Sequence, residues 1–159
     1  MATMVLPLRE LSVSVQREAV TAKTAYWSLA EDVTRKHLEF IVWIKTQRLN
    51  HSLGRLIERQ QSLISALQEA PTDQFPANMM VKLADDLGSV VSLTESFIIE
   101  AYDMPDGILN VWIGRLDRVA QLNSHLENFA ESFRIASDGT CTALLAEVAR
   151  SVAMEEAVA

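Results

Sequence analysis

Arg118 and His125 have the types and spacing for acid–base chemistry at a phosphate. They stand two helical turns apart, so on one helix they share a face. A histidine there exchanges protons near neutral pH, and an arginine grips phosphoryl oxygens with its planar fork. His51 is a second candidate. It sits in Leu49-Asn50-His51-Ser52-Leu53 and is turned by the apolar spacing towards solvent midway along a helical run. Lys45, Arg48, Arg55 and Arg59, with Ser52 between them, share one helix face. Residues 35–59 hold six basic and two acidic side chains. Such a face can meet phosphate or an acidic partner. The favoured reading pairs it with the acidic stretches 77–102 and 107–136 of the same chain or of a second subunit.

The Arg118–His125 pair resembles the active-site motif of HEPN-type ribonucleases, where an arginine is followed within two turns by a histidine. The residue after the arginine is commonly polar in that family and is Val119 here. The resemblance implies a helical bundle that pairs to build its site. His125 would assist acid–base chemistry at a 2′-hydroxyl, and Arg118 would bind phosphate. His51, with Gly54-Arg55 following, resembles the exposed histidine of phosphotransfer bundles. The acidic or basic neighbours and the glycine at that family's usual offset do not line up.

Metal and cofactor chemistry finds no ligand set. A di-iron carboxylate bundle repeats Glu-x-x-His on facing helices. Here Thr34, Arg48 and Leu122 stand three residues before His37, His51 and His125. One cysteine, Cys141, and three scattered histidines do not make a zinc site. Phosphate-cradling glycine loops, nucleophile elbows and Cys-x-x-Cys pairs are missing from the sequence. No cofactor is expected.

The elements that must position these groups are helices. Residues 1–7 read as a loose tail. Leu8, Leu11, Val15, Ala19 and Ala22 form a helical stripe, with a short strand over 11–15 as the local competitor. A long helix is expected over 29–69. It opens on the capping-box pattern Ser28-Leu29-Ala30-Glu31 and stops at Ala70-Pro71. Straight, it would run about 62 Å, against a globule diameter near 40 Å, so it is expected to bend or break between Lys45 and Gly54, or to protrude. A turn at 71–76 leads to helices over about 77–102 and 107–136, with a turn at 103–107. A short helix over about 140–154 and a fraying tail, 155–159, follow. Apolar spacing of three and four residues predicts an all-α, up-down antiparallel bundle of three long helices plus one or two shorter ones, in a single domain over 1–159.

Three polar residues interrupt the seams: Gln60, Thr94 and Asn123. A buried asparagine at such a place fixes register or oligomer state. Counted from the turns, the three should lie at different heights and not form one network. Trp27, Trp43 and Trp112 are read as packing anchors, with Trp43 as the candidate hot spot. From Leu38 to Ile44 the apolar residues point almost all round the helix, which requires enclosure or a partner.

The formal net charge is −7, split as +3 over 1–67 and −10 over 68–159. That sign argues against a general nucleic-acid binder. The opening MATMVLPLRE lacks a basic leader before a long apolar block, and no apolar run is long enough to cross a bilayer. The lone cysteine fits a reducing, cytoplasmic compartment. The leading expectation is a non-catalytic helical interaction module. It would be a homo-oligomer or bind a helical protein through Leu38, Phe40, Ile41, Val42, Trp43, Ile44, Leu49 and Leu53. A ribonuclease using Arg118 and His125 and a phosphotransfer protein using His51 are the alternatives.

Overall fold

The computed structural model of the chain describes residues 2–71, 74–137 and 143–158, with side chains over 7–71, 74–137 and 147–157. It is all-helical, as the spacing predicts. The helices are α1 (Ala2–Thr34), α2 (Glu39–Glu69), α3 (Ala77–Ala101), α4 (Asp106–Ser137) and α5 (Ala143–Val158). The boundaries of α3 and α4 fall where the turn residues place them, while α5 runs to Val158, past the expected end near 154. The stop expected after Ser137 and the position of Cys141 lie outside the described residues.

Three expectations need correction. Residues 2–7 belong to α1 rather than to a tail, so there are four long helices and one short one. Ser28 does not cap a helix start, because α1 runs through it to Thr34. The long segment breaks at residues 35–38, a full turn or more before the expected 45–54. The break is a Schellman motif. The N–H of Lys36 donates to the carbonyl of Val33 (3.2 Å), and that of His37 to the carbonyl of Asp32 (3.0 Å). Lys36 takes the left-handed conformation, φ 54°, that this motif requires. Leu38 then enters α2 in extended backbone without a side-chain cap.

The helices alternate in direction. Moving along α1, Arg9 meets Asp86 and Tyr26 meets Glu100, so α1 and α3 run parallel. Asn50 meets Arg115 and Gln60 meets Val119, so α2 and α4 run parallel as well. Antiparallel pairs α1–α2 and α3–α4 complete a four-helix cross-section, with α5 lying over α4 and α2. The α1 stripe is committed to the core: Leu8, Val15, Ala19 and Ala22 are all buried. Leu49, Leu53, Leu56 and Leu63 of α2 meet Leu116, Val119 and Leu122 of α4 in one contiguous cluster, in which Trp112, Phe97, Phe129 and Phe133 are the largest enclosed side chains. Among the described residues, no helix is long and apolar enough to cross a membrane.

Candidate functional site

The first turn and a half of α2 is where the surface departs from ordinary packing. Leu38, Phe40 and Trp43 keep 73%, 70% and 60% of their surface in solvent, and Ile41 is exposed too. Val42 and Ile44 are half-buried. Leu49 and Leu53, expected at the same contact, are fully enclosed in the core and are removed from it. The break explains the difference. It ends α1's register and restarts α2 with Leu38 and Phe40 facing outward, while Leu49 and Leu53, further along the helix, fall on the core side.

This corner is braced from beneath by Asp32, His37 and Lys45. Asp32 is buried, and its Oδ1 lies 2.6 Å from His37 Nδ1. The Lys45 ammonium sits against its other oxygen. Those contacts, Lys45 first, hold the Asp32 carboxyl below its ordinary range against the opposing effect of burial. Beside the brace, α2 and the start of α4 enclose a cleft of about 370 Å³ with Val42, Trp43, Ile108 and Val111 on its walls. Sequence reasoning missed Asp32 and His37. Five residues apart, they would not face each other on the continuous helix expected there.

Arg118 and His125 do share a face, and both are taken by α5. The Arg118 guanidinium forks onto Glu156, with Nη1 to Oε2 at 2.9 Å and Nη2 to Oε1 at 2.6 Å. His125 is buried, with Nε2 at 3.4 Å from Glu156 Oε2 and Nδ1 at 3.7 Å from Glu155 Oε2. Hydrogen bonding from Arg118 holds the Glu156 carboxyl below its ordinary value, with a smaller contribution from His125 and burial opposing. Glu155 and Glu156 belong to the segment expected to fray; they are instead part of α5 and its latch onto α4.

The basic face turns towards α1, not towards the acidic helices. Lys45 meets Asp32, and Arg55 lies 3.6 Å from Glu18. Arg48 and Arg59 form no ion pair among the described residues, and His51 is exposed. The three polar seam residues are all buried. Gln60 donates to the Val119 carbonyl (3.3 Å) and Asn123 to the Val91 carbonyl (3.2 Å). Val119 is one turn from Asn123, and Val91 is one turn from Thr94. The three therefore occupy neighbouring layers, closer in height than counting from the turns predicts. Gln60 Oε1, Asn123 Oδ1 and Thr94 Oγ1 have no hydrogen-bond partner.

Trp112 is a core anchor as expected, but Trp27 is not. Trp27 lies at the surface with its indole N–H donating to Glu100 (2.8 Å) and Lys23 over its ring. Among the described residues there is no group of three His, Cys, Asp or Glu side chains able to hold a metal ion. No family model matches this sequence, and comparisons with curated proteins and with solved structures find no match.

Proposed function

We propose that this chain is a non-catalytic assembly module that pairs with a second copy of itself through the α1–α2 corner. The observation behind the proposal is the joint exposure of Leu38, Phe40 and Trp43 on a short, internally braced segment. Large apolar side chains clustered at a surface are characteristic of contact sites, and tryptophan is enriched among binding hot spots. A second copy fits because this end of the bundle carries both signs of charge. Exposed Lys36 lies on the α1–α2 turn, and exposed Asp103 on the α3–α4 turn and Asp106 at the start of α4 lie at the same end. A two-fold contact is self-complementary, so each copy can set its basic turn against the other's acidic one. A reducing, cytoplasmic setting for this assembly is part of the proposal, supported by the single cysteine of the sequence.

The ribonuclease alternative requires Arg118 and His125 to meet a phosphate, whereas Glu156 is forked onto Arg118 and His125 is buried beside it. Light scattering coupled to size exclusion tests the proposal. The expected result is a dimer that becomes monomeric in Phe40→Ser/Trp43→Ser, with an unchanged circular-dichroism spectrum. A wild-type monomer at about 1 mM, where even about 4 kcal/mol of association would register, overturns it.

A further inference from the structure

The seam between α1 and α2 carries a counter-charge at two of three equivalent places. Glu18, Ala25 and Asp32 succeed one another at heptad spacing along α1. Glu18 faces Arg55 and Asp32 faces Lys45 across the seam. At the middle position α1 offers Ala25, while α2 presents Arg48 and His51. Neither forms a hydrogen bond or ion pair among the described residues. The missing side chain leaves a groove of about 470 Å³. Its lining also takes in Lys45, which is paired with Asp32, and Thr21, which donates to the Arg17 carbonyl; it adds the Thr24, Ser28 and Ser52 hydroxyls and includes no carboxylate. None of these three hydroxyls has a hydrogen-bond partner among the described residues.

We infer that this groove binds a small phosphate monoester, whose anion supplies the charge that α1 omits at Ala25. Arg48 offers a planar fork matched to phosphate oxygens, and the hydroxyls offer further donors around it. The pairs at Glu18 and Asp32 flank this stretch of the seam, and between them Arg48 and His51 face a lining that holds no carboxylate. The volume lies within the usual range for small-ligand pockets, about 300–1,000 Å³, and exceeds what inorganic phosphate alone fills. The apolar wall formed by Val20 and Ala25 favours an ester carrying an organic group. The groove meets the corner only through Lys45 and holds none of Leu38, Phe40 or Trp43, so this inference does not rest on the assembly proposal.

Titrating the full chain with glycerol 3-phosphate and with inorganic phosphate, at fixed ionic strength, tests the inference through backbone amide shifts. Saturable changes confined to residues 20–28 and 45–52 are expected, with the ester binding more tightly. Arg48→Ala should weaken binding by about tenfold or more, the loss of one charge-assisted fork. Ala25→Glu should abolish binding and raise the melting temperature, because the new carboxylate supplies the counter-charge internally. If Ala25→Glu fails to fold, Ala25→Asp at the same place repeats the test. Linear, unsaturable shifts, shifts scattered over other basic residues, inorganic phosphate binding as tightly as the ester, or retained binding in a folded Ala25 variant would each overturn the inference.

Discussion

Gly54 sits inside α2, where a glycine ordinarily weakens a helix by about 1 kcal/mol relative to alanine. Its use is visible on the neighbouring helix. Arg115 of α4 lays its guanidinium where a Gly54 side chain would be, and a Cβ there would stand 2.9 Å from Nη1. That Nη1 donates to the Asn50 carbonyl at 2.6 Å. The same carbonyl is the helical acceptor for Gly54's own N–H, four residues on. The glycine therefore lets a cation reach a backbone oxygen that a side chain would screen. Gly54→Ala gains about 1 kcal/mol of helix propensity and loses an exposed hydrogen bond of similar worth, about 1 kcal/mol. The net change in urea-unfolding free energy should lie within about 0.5 kcal/mol of zero. In an Arg115→Ala background nothing is displaced, and Gly54→Ala should stabilise by the full ~1 kcal/mol, or roughly 2–4 °C in melting temperature for a chain of this size. The cycle isolates a coupling of about 1 kcal/mol. Equal effects of Gly54→Ala in both backgrounds would refute the account.

Two further outcomes follow from the titrating groups. The Glu156 carboxyl is held below its ordinary 4.5, so its contribution is complete above that value and is lost as pH falls through the folded value. Amide exchange over residues 147–157 should therefore rise in acid before it rises in the four-helix core. Glu156→Gln should show that loosening already at neutral pH, by about 1.5–3 kcal/mol of lost charged hydrogen bonding; protection unchanged in the variant would contradict the latch. Both of the chain's tyrosines ionise late. Tyr102 is pushed up to about 12 by burial and by donating its hydroxyl proton to Asp117, and Tyr26 is raised by burial and by Glu100. A raised folded value keeps the native state protonated where the unfolded chain has ionised, so stability falls as pH climbs from about 10 towards 12. Ultraviolet titration should show tyrosinate appearing later in the folded protein than in urea, and superimposed curves would contradict the assignment.

The bundle was legible because its signals are redundant: Leu8 to Ala22, Met80 to Ala101 and Leu109 to Phe133 each repeat the helical interval over several turns, and one misread residue does not erase the pattern. The corner was not legible, because its signals are absent rather than weak. A Schellman turn usually announces itself with glycine in the left-handed position, and here Lys36 fills it. A helix start usually has Ser, Thr, Asp or Asn, and here it is Leu38. Ser28-Leu29-Ala30-Glu31 carries a capping-box pattern and sits inside α1. Asp32, His37 and Lys45 could not be grouped without the break that brings them together. The latch was hidden for another reason: nothing local marks Glu156, since its partners lie on α4.

The local cost of the corner bears on what the corner is for. A left-handed lysine is disfavoured by about 1–2 kcal/mol, and an uncapped helix start forgoes about 1 kcal/mol more. Asp32 is committed as a buried carboxylate to hold the turn. A tight glycine turn would have closed the same two helices with less strain. What the strained turn delivers is direction: Tyr26, Ala30 and Val33 face inward at the end of α1, His37 turns back onto Asp32, and Phe40 is swung outward with Leu38 and Trp43. Strain of this kind persists where the surrounding structure enforces it, and it concentrates at contact and functional sites. An outward-facing aromatic pair on a braced, strained turn is the feature on which the proposed pairing rests, and the strain adds to its support.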